Sequence, residues 1–433
     1  MFYIFKPLFN RLYTSSLVRS SSIYTISNFI NAAIPLILLP ILTKKLSPAD
    51  YGIIAMFQIA VSIVYPFIGM NLEGSIQRKY FDNDNTHLPS YIGNCFLLFL
   101  GSLSIASSIF WIFSDYFKEL TQIPSVWIKY ILLVAASQFI TAVILILFQV
   151  RIQPLKYGIL QISQSLINVA LTILLVVAMN RSYMGRLESQ ISSGVIIALI
   201  SLVILFRTKQ IKFTINKKYI QHALKFGVPL IPHAIGGMLF TAIDRFFLTK
   251  LVGLEQTGNY TVAFQLGAIV SLITLSFNNA YVPWLFENLN KDDQDIKRKI
   301  VKFTYLYFIL LVLGAILLLS LFPVIVNIFV DRKFNSVNTY STFIVFGFVF
   351  QGMYFMVTNY ITYAEKTYLQ AIVTIGVGLL KIPITYFAIV SFGAIGASIS
   401  YCITFFIFFI ATWTLSANVY NMPWFYFSPN HKK

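Results

Sequence analysis

The stretch that decides the fold is FGVPLIPHAIGGMLFTAIDRFFLTKLVGLEQTG, residues 226–258. Its apolar part is long enough to cross a bilayer, because about 20 helical residues span a hydrocarbon core of about 30 Å. Asp244 and Arg245 nevertheless lie within it, and His233 lies nearer its start. Ionisable side chains in a spanning helix are costly, so we expect them to face a cavity or a partner instead of lipid. Two prolines and a Gly-Gly pair loosen the first third of the helix, a break that is tolerated where backbone lines protein or water.

The composition is that of a polytopic membrane protein. Of 433 residues, 58% are hydrophobic and only 11% are charged, far from the average of soluble proteins. The net charge of +17 is spread over short segments between apolar runs. We interpret these charges as loop residues that set the orientation in the membrane, and we expect no nucleic-acid partner. Cys95 and Cys402 lie in separate apolar runs and predict neither a disulfide nor a metal site. No hydrolase, protease or P-loop motif occurs, so we expect no enzyme and no cofactor other than a coupling ion, H⁺ or Na⁺.

Twelve apolar runs predict an all-α integral membrane protein with twelve transmembrane helices. Their approximate bounds are 23–43, 51–71, 91–113, 126–149, 157–179, 188–206, 224–250, 259–281, 300–320, 339–361, 369–389 and 394–416.

The distribution of basic residues predicts the orientation. With the N-terminus inside, the inner segments hold 21 lysines and arginines and the outer loops hold 9. By the positive-inside rule both termini of this multi-pass protein are therefore expected on the cytoplasmic side. Residues 1–22 are interpreted as a cytoplasmic arm and 417–433 as a cytoplasmic tail. The long, charged connection 207–223 is interpreted as a cytoplasmic linker between two six-helix lobes, 23–206 and 224–416.

An internal repeat supports this division into two lobes. Residues 42–44 (Leu-Thr-Lys), followed by Gly52, recur as residues 248–250, followed by Gly258, at an offset of 206 positions. Together with the six-plus-six topology, the match favours two parallel repeats related by an axis along the membrane normal. At this offset Asp244 and Arg245 stand opposite two leucines, so the buried charges are expected in the second half alone.

Five short segments, in order along nearly the whole chain, resemble the polysaccharide-biosynthesis flippases. These are the Wzx-type O-antigen transporters of the multidrug/oligosaccharidyl-lipid/polysaccharide exporter superfamily. The segments are LTKKLSPADYG at 42–52, IQRKYF at 76–81, GVPLIP at 227–232, DRFFLTKLVG at 244–253 and FGAIGASIS at 392–400.

The resemblance implies a fold, a substrate and partners. The fold would be a twelve-helix, two-lobed transporter, MATE-like or flippase-like, in the bacterial inner membrane. The protein would move an undecaprenyl-diphosphate-linked oligosaccharide, an O-antigen or capsule repeat unit, from the cytoplasmic to the periplasmic leaflet by alternating access. Its other partners would be the lipid bilayer and the polymerase and chain-length proteins of the same pathway.

Three cations are candidates for binding a diphosphate: Lys381, Arg245 and Arg78. Arginine offers a planar fork that binds phosphate oxygens with two hydrogen bonds. Lys381 lies within the eleventh predicted span, and Arg245 lies near the outer end of the seventh. Two alternatives stay open: Arg245 reaching to the outer interface, and Lys381 forming a structural pair with a buried carboxylate.

Asp244, Glu73 and His233 are candidates for ion coupling and substrate release. Asp244 is expected to pair with Lys381 more readily than with Arg245, because neighbouring helical positions point about 100° apart. His233 is alternatively a hydrogen-bonded core residue. Glu73 is alternatively half of an interfacial ion pair with Arg78.

Amide side chains are candidates for contacting the sugars, because an amide offers a hydrogen-bond donor and an acceptor without a charge. Hydrogen bonding between helices of the bundle is the alternative role for each of them. The candidates are Asn28, Asn31, Gln161, Asn168, Asn278, Asn279 and Asn359.

Two other functions compete with the flippase hypothesis. A cation-coupled exporter of drugs or organic cations belongs to the same superfamily, but its site should be acidic, whereas the membrane-embedded charges are two bases and one acid. A membrane-embedded glycosyltransferase or polymerase should carry a metal-binding acidic pair or a large outer loop, and the sequence contains neither.

Overall fold

The computed structural model describes residues 16–82 and 87–424, which contain α-helices and no strand. Most of the predicted arm 1–22 and residues 425–433 of the predicted tail lie outside the described residues. The helices are α1 Ser16–Lys45, α2 Pro48–Gly69, α3 Leu72–Tyr80, α4 Leu88–Ile112, α5 Ser114–Thr121, α6 Ser125–Val150, α7 Pro154–Thr172, α8 Ser182–Arg207, α9 Lys217–Gly227, α10 Ile231–Leu251, α11 Leu254–Leu289, α12 Gln294–Phe329, α13 Val337–Tyr363, α14 Thr367–Phe392 and α15 Gly396–Val419.

The twelve predicted spans are confirmed as helices. Within the described residues, 11 helical stretches are long and apolar enough to cross a membrane. The last of them, Thr367–Val419, contains both α14 and α15, which pack against each other. The chain turns between them at Gly393, whose φ of 65° lies in the left-handed region that glycine adopts without strain. This stretch therefore supplies two passes, and the protein crosses the membrane many times.

The first compact unit comprises the chain up to Leu46 together with Ile53–Ile235. In it α6 packs against α8, α1 packs against α7, and the short α3 packs against α4 and α6. The rings of Phe99 and Phe139 stack at a centroid distance of 4.3 Å in the core between α4 and α6. Aliphatic side chains fill most of the remaining interior, as expected for spans that face one another instead of lipid.

The predicted linker 207–223 is held against α4 in this unit. The Nδ2 atom of Asn94 donates to the carbonyl oxygen of Thr214 at 2.6 Å, and the backbone N–H of Asn216 donates to Oδ1 of Asn94 at 2.9 Å. Asn216 also caps α9, and the hydroxyl of Tyr91 lies 2.8 Å from Nδ1 of His222 on that helix. The connection is thus an ordered strap followed by a surface helix.

The second compact unit comprises Ser47–Gly52 and the chain from Gly236 onward. Its central helix is α13, which packs against α11, α12 and α15. The pairing of α13 with α15, the tenth and twelfth spans, matches that of α6 with α8, the fourth and sixth. The boundary between the units lies within α10, beside the Gly-Gly step. The predicted lobe boundaries at 206 and 224 stay a prediction.

The two glycines of the internal repeat make reciprocal contacts in this second unit. A Cβ atom on Gly52 would lie 2.2 Å from the carbonyl oxygen of Leu254, and one on Gly258 would lie 1.8 Å from that of Pro48. Positions 48 and 254 are separated by the same 206 residues as positions 52 and 258. The glycine that follows each Leu-Thr-Lys segment therefore lies against the first residue of the helix that follows the other segment. This close contact leaves no space for a side chain.

Candidate functional site

The centre of the candidate site is a buried ion pair between α10 and α14. The Nζ atom of Lys381 lies 2.5 Å from Oδ2 of Asp244, and both side chains are 0% exposed. Asp244 lies 13 residues into α10 and Lys381 lies 14 residues into α14, about 20 Å along each helix, so the partners meet at similar depth. Lys381 therefore pairs with a buried carboxylate, which was the alternative to diphosphate binding for this residue. Asp244 has the partner that was expected for it.

Neutral groups complete the surroundings of the pair. The hydroxyls of Tyr260 and Thr385 each donate to the carboxylate of Asp244 at 3.2 Å. The ammonium group of Lys381 also donates to the carbonyl oxygen of Phe240 at 2.5 Å and lies 5.1 Å from the ring centroid of Tyr401. Charges taken out of water are tolerated only with such additional hydrogen bonds. In this conformation Lys381 is enclosed, and no part of its side chain is open to a substrate.

Arg245 is half-buried, and it forms no ion pair with any of the described residues. Its guanidinium carbon lies 4.3 Å from the ring centroid of Phe264 and 5.5 Å from that of Tyr260, which places the cation against two aromatic rings. Nε donates to the hydroxyl of Thr261 at 3.2 Å, and one terminal nitrogen donates to the carbonyl oxygen of Thr241 at 2.5 Å. Within the described part of the chain the guanidinium thus uses two of its five N–H donors.

Glu73 and Arg78 do not pair with each other. The Oε1 atom of Glu73 accepts a hydrogen bond from the hydroxyl of Tyr65 at 3.0 Å, and Oε2 is buried without a partner among the described residues. Arg78 instead lies 3.1 Å from Asp82, with its own side chain 58% exposed. A hydrogen bond from Lys79 holds the pKa of the Asp82 carboxyl below its usual range. The interfacial Glu73–Arg78 pair considered from the sequence is therefore wrong.

His233 lies apart from the ion pair, exposed and near the start of α10. It is 11 residues from Asp244, or about 16 Å along the helix, so the structure does not bring the two together. Its role in coupling stays a prediction, and its exposure excludes the alternative of a core histidine.

Most of the amide candidates form hydrogen bonds between helices. On α1 and α7, Gln161 donates to Asn28 at 3.1 Å, and Ser165 donates to Asn31. On α11 and α13, Asn359 donates to Asn278 at 2.9 Å. These contacts fit the bundle-forming role, and contact with sugars stays a prediction.

Asn168 and Asn279 differ in their surroundings. Asn279 is exposed and has no hydrogen bond within the described residues. Asn168 accepts a hydrogen bond from Arg186 at 2.6 Å, and the same Arg186 nitrogen donates to the hydroxyl of Thr172 at 2.8 Å. Asn168 also donates to Ser193 at 3.0 Å, so a polar cluster joins α7 to α8.

The Arg186 cluster corrects the expectation that embedded charges belong to the second half alone. Arg186 falls between the predicted spans 157–179 and 188–206, so it was expected in an outer loop. The structure begins α8 at Ser182 and turns the half-buried Arg186 side chain toward α7. The available signal was the set of polar residues around position 168, which a hydropathy profile does not connect to position 186.

Solved structures of known transporters share this fold. The chain is similar to the lipid II flippase MurJ in an inward closed conformation, with a TM-score of 0.71 and 13% identity over 90% of this chain and 87% of that one. It is also similar to an inward-facing multidrug resistance MATE family transporter of the MOP superfamily, with a TM-score of 0.66 and 14% identity over 94% of this chain and 98% of the other. The architecture is that of the transporters of this superfamily.

Sequence relatives come from Haemophilus influenzae. An uncharacterized membrane protein is 25% identical over 358 residues, 81% of this chain and 85% of its own length. The Lsg locus putative protein 1 is 22% identical over 359 residues, 80% of this chain and 85% of its own length.

Two family models match the chain. The MatE model matches residues 229–387, which include both partners of the buried ion pair. The model described as polysaccharide biosynthesis protein matches residues 17–289, more than half of the chain. The expected membership in a flippase family of the exporter superfamily is confirmed, and the chain belongs to the polysaccharide biosynthesis protein family.

Proposed function

We propose that the protein flips an undecaprenyl-diphosphate-linked oligosaccharide from the cytoplasmic to the periplasmic leaflet of a bacterial inner membrane. The observation that carries this proposal is the state of the charges in α10 and α14. The one embedded acid of the pair, Asp244, is neutralised by Lys381, whereas Arg245 keeps unused N–H donors and is half-buried. The net charge of this region is positive, which suits a diphosphate and not a cationic drug.

Arg245 is the proposed first contact of the diphosphate. Three of its N–H donors have no acceptor among the described residues, and the aromatic rings of Phe264 and Tyr260 hold the guanidinium in place. A planar guanidinium binds phosphate oxygens with two parallel hydrogen bonds, and a charge-assisted bond of this kind is roughly twice as strong as a neutral one. Arg78 is proposed to attract the headgroup from the cytoplasmic side, where its side chain is mostly exposed.

Asp244 and Lys381 are proposed to hold the empty transporter in a neutral state. A free ammonium in the membrane interior would be costly, and Asp244 removes that cost while no substrate is bound. During the cycle a diphosphate on Arg245 would draw Lys381 from Asp244. Reformation of the pair would then displace the phosphate toward the periplasm, which gives Asp244 its role in release.

The membrane potential favours the loaded step. A headgroup with about two negative charges moves outward, and an inside-negative potential supplies about 2.3 kcal/mol per charge for each 100 mV. A coupling ion, H⁺ or Na⁺, is proposed to act on release, with Asp244, Glu73 or His233 as its acceptor.

One observation favours an exporter of organic cations as the second candidate function. Glu73 in the first unit carries a buried Oε2 atom without a hydrogen-bond partner in the described residues. A half-satisfied carboxylate attracts a proton or a cation, as an exporter of the same superfamily would need.

A deletion strain tests the proposed function. Accumulation of lipid-linked oligosaccharide in the cytoplasmic leaflet supports a flippase, and altered drug susceptibility without that accumulation supports the exporter. Complementation should fail with Arg245→Gln and should succeed with the control Lys250→Gln, which removes a charge from the exposed end of the same helix. Full export by Arg245→Gln at normal protein levels would exclude Arg245 as the phosphate contact.

A further inference from the structure

A groove lies within the first unit, between the ends of α6 and α8 and the start of α7. It encloses about 610 Å³, a volume in the range of lipid- and drug-sized ligand sites. Its body is lined almost entirely by isoleucine, leucine and phenylalanine side chains of the three helices, among them the buried Leu147, Leu160 and Ile197. Apolar walls of this kind suit a hydrocarbon chain.

The mouth of the groove is polar and cationic. Arg151, directly after α6, and Lys156, in the first turn of α7, line it together with Gln153, Thr208 and Gln210. The guanidinium of Arg151 donates to Oε1 of Gln210 and makes no other hydrogen bond within the described residues. Lys156 is exposed and has neither a hydrogen bond nor an ion pair with any described residue. Two cations therefore lie at one end of an apolar groove, and both have N–H donors that no described residue accepts.

We propose that this groove is a binding site for an anionic glycerophospholipid of the bilayer. An acyl chain would occupy the apolar body, and the phosphate would contact Arg151 and Lys156. The charges are complementary, and basic pockets between spanning helices on the cytoplasmic side are a known setting for anionic lipid headgroups. The predicted topology places both cations on that side of the membrane. The site is separate from the ion pair of the second unit and does not depend on the proposed transport function.

Native mass spectrometry of the full-length protein in mild detergent tests the site. Dioleoyl phosphatidylglycerol, dioleoyl phosphatidylcholine and undecaprenyl phosphate are each titrated into the wild type. The same is done for Lys156→Gln and for Arg151→Gln/Lys156→Gln. The control is Lys217→Gln/Lys218→Gln, which removes two exposed cations at the start of α9 and outside the groove.

We expect phosphatidylglycerol to bind the wild type and the control equally. Its affinity should fall about fivefold for Lys156→Gln and about 20- to 30-fold for the double variant, while phosphatidylcholine changes little. Lys156 is exposed, so its single variant keeps the test valid if the double variant folds poorly. Ile200→Trp, which fills the groove without changing its charge, should also displace phosphatidylglycerol.

Three results would overturn the proposal. The first is equal binding of phosphatidylglycerol by the groove variants and the control variant. The second is no loss of binding in Ile200→Trp, because the lipid would then lie outside the groove. The third is binding of undecaprenyl phosphate in clear preference to phosphatidylglycerol, which would assign the groove to the carrier of the transported unit.

Discussion

Replacing Lys381 by methionine should destabilise the protein far more than replacing Lys381 and Asp244 together. In Lys381→Met the carboxylate of Asp244 keeps only the hydroxyl donors of Tyr260 and Thr385, at 3.2 Å each. In Asp244→Asn the ammonium keeps only neutral acceptors, the carbonyl oxygen of Phe240 and the new amide oxygen, and loses its counterion. Each single variant leaves a charge without its counterion in a region that is 0% exposed.

The expected magnitudes follow from that geometry. Breaking a buried pair by removing one partner costs about 3–5 kcal/mol, so each single variant should lose that much free energy of unfolding. The double variant Asp244→Asn/Lys381→Met carries no charge. The new amide oxygen can accept from one of the two hydroxyls of Tyr260 and Thr385, and the amide NH2 can donate to the oxygen of the other. Removal of both charges from a buried site is often nearly neutral, so we expect the double variant within about 2 kcal/mol of the wild type. The coupling energy is then at least about 4 kcal/mol.

The assay is equilibrium unfolding of the four proteins in mixed micelles of mild detergent and sodium dodecyl sulfate. Lys129→Met serves as the control, because Lys129 is exposed at the start of α6, and its loss should change stability by less than about 0.5 kcal/mol. Additive losses in the double variant would refute the ion-pair reasoning. Transport measured on the same proteins tests the proposed function separately. A stable double variant that transports at the wild-type rate would contradict the release role proposed for Asp244.

The remaining predictions concern other parts of the fold. Gly258→Ala should lower the free energy of unfolding by about 1–3 kcal/mol, and with it the unfolding temperature, because the new Cβ would lie 1.8 Å from a carbonyl oxygen. In the control Gly314→Ala the new Cβ has no atom within 4 Å and should not destabilise the protein. Asn94→Ala should lower the free energy of unfolding by about 1–3 kcal/mol for each of the two backbone groups, of Thr214 and Asn216, that lose their partner. It should also speed proteolysis at residues 208–216. Arg186→Gln should destabilise by about 1–3 kcal/mol in thermal unfolding, since Asn168 and Thr172 lose a charged donor. A reporter fused after Arg332 should lie outside; a cytoplasmic signal would contradict the predicted topology.

The sequence predicted the spans well because membrane insertion depends on the sum of hydropathy over about 20 residues. A single polar residue changes a sum over about 20 residues only slightly, so all twelve spans were located. The same averaging explains the failure at Arg186. The local charge density around it lowered the profile and moved the residue into a loop, although its hydrogen bonds to Asn168 and Thr172 stabilise the start of α8.

Partners of buried polar groups were harder to predict than their burial. A helical wheel showed that Asp244 and Arg245 face different directions, which was sufficient to favour Lys381 as the partner of Asp244. It could not show that Asn28 meets Gln161 or that Asn278 meets Asn359, because that depends on which helices pack together and at what depth. The groove near Arg151 had no sequence signal, since aliphatic residues line lipid, core and cavity alike.

The partners of the buried ion pair are also separated in time during synthesis. Asp244 precedes Lys381 by 137 residues. At about 5–20 residues per second, the helix with Asp244 leaves the ribosome about 7–27 s before the helix with Lys381. An acid or a lysine at the centre of a spanning helix opposes membrane insertion by about 2.5–3.5 kcal/mol, and neither side chain can neutralise the other until both helices are made. The seventh span must therefore be retained during that interval by its apolar residues and its neighbours, and closure of the pair is a late event in the assembly of the second unit.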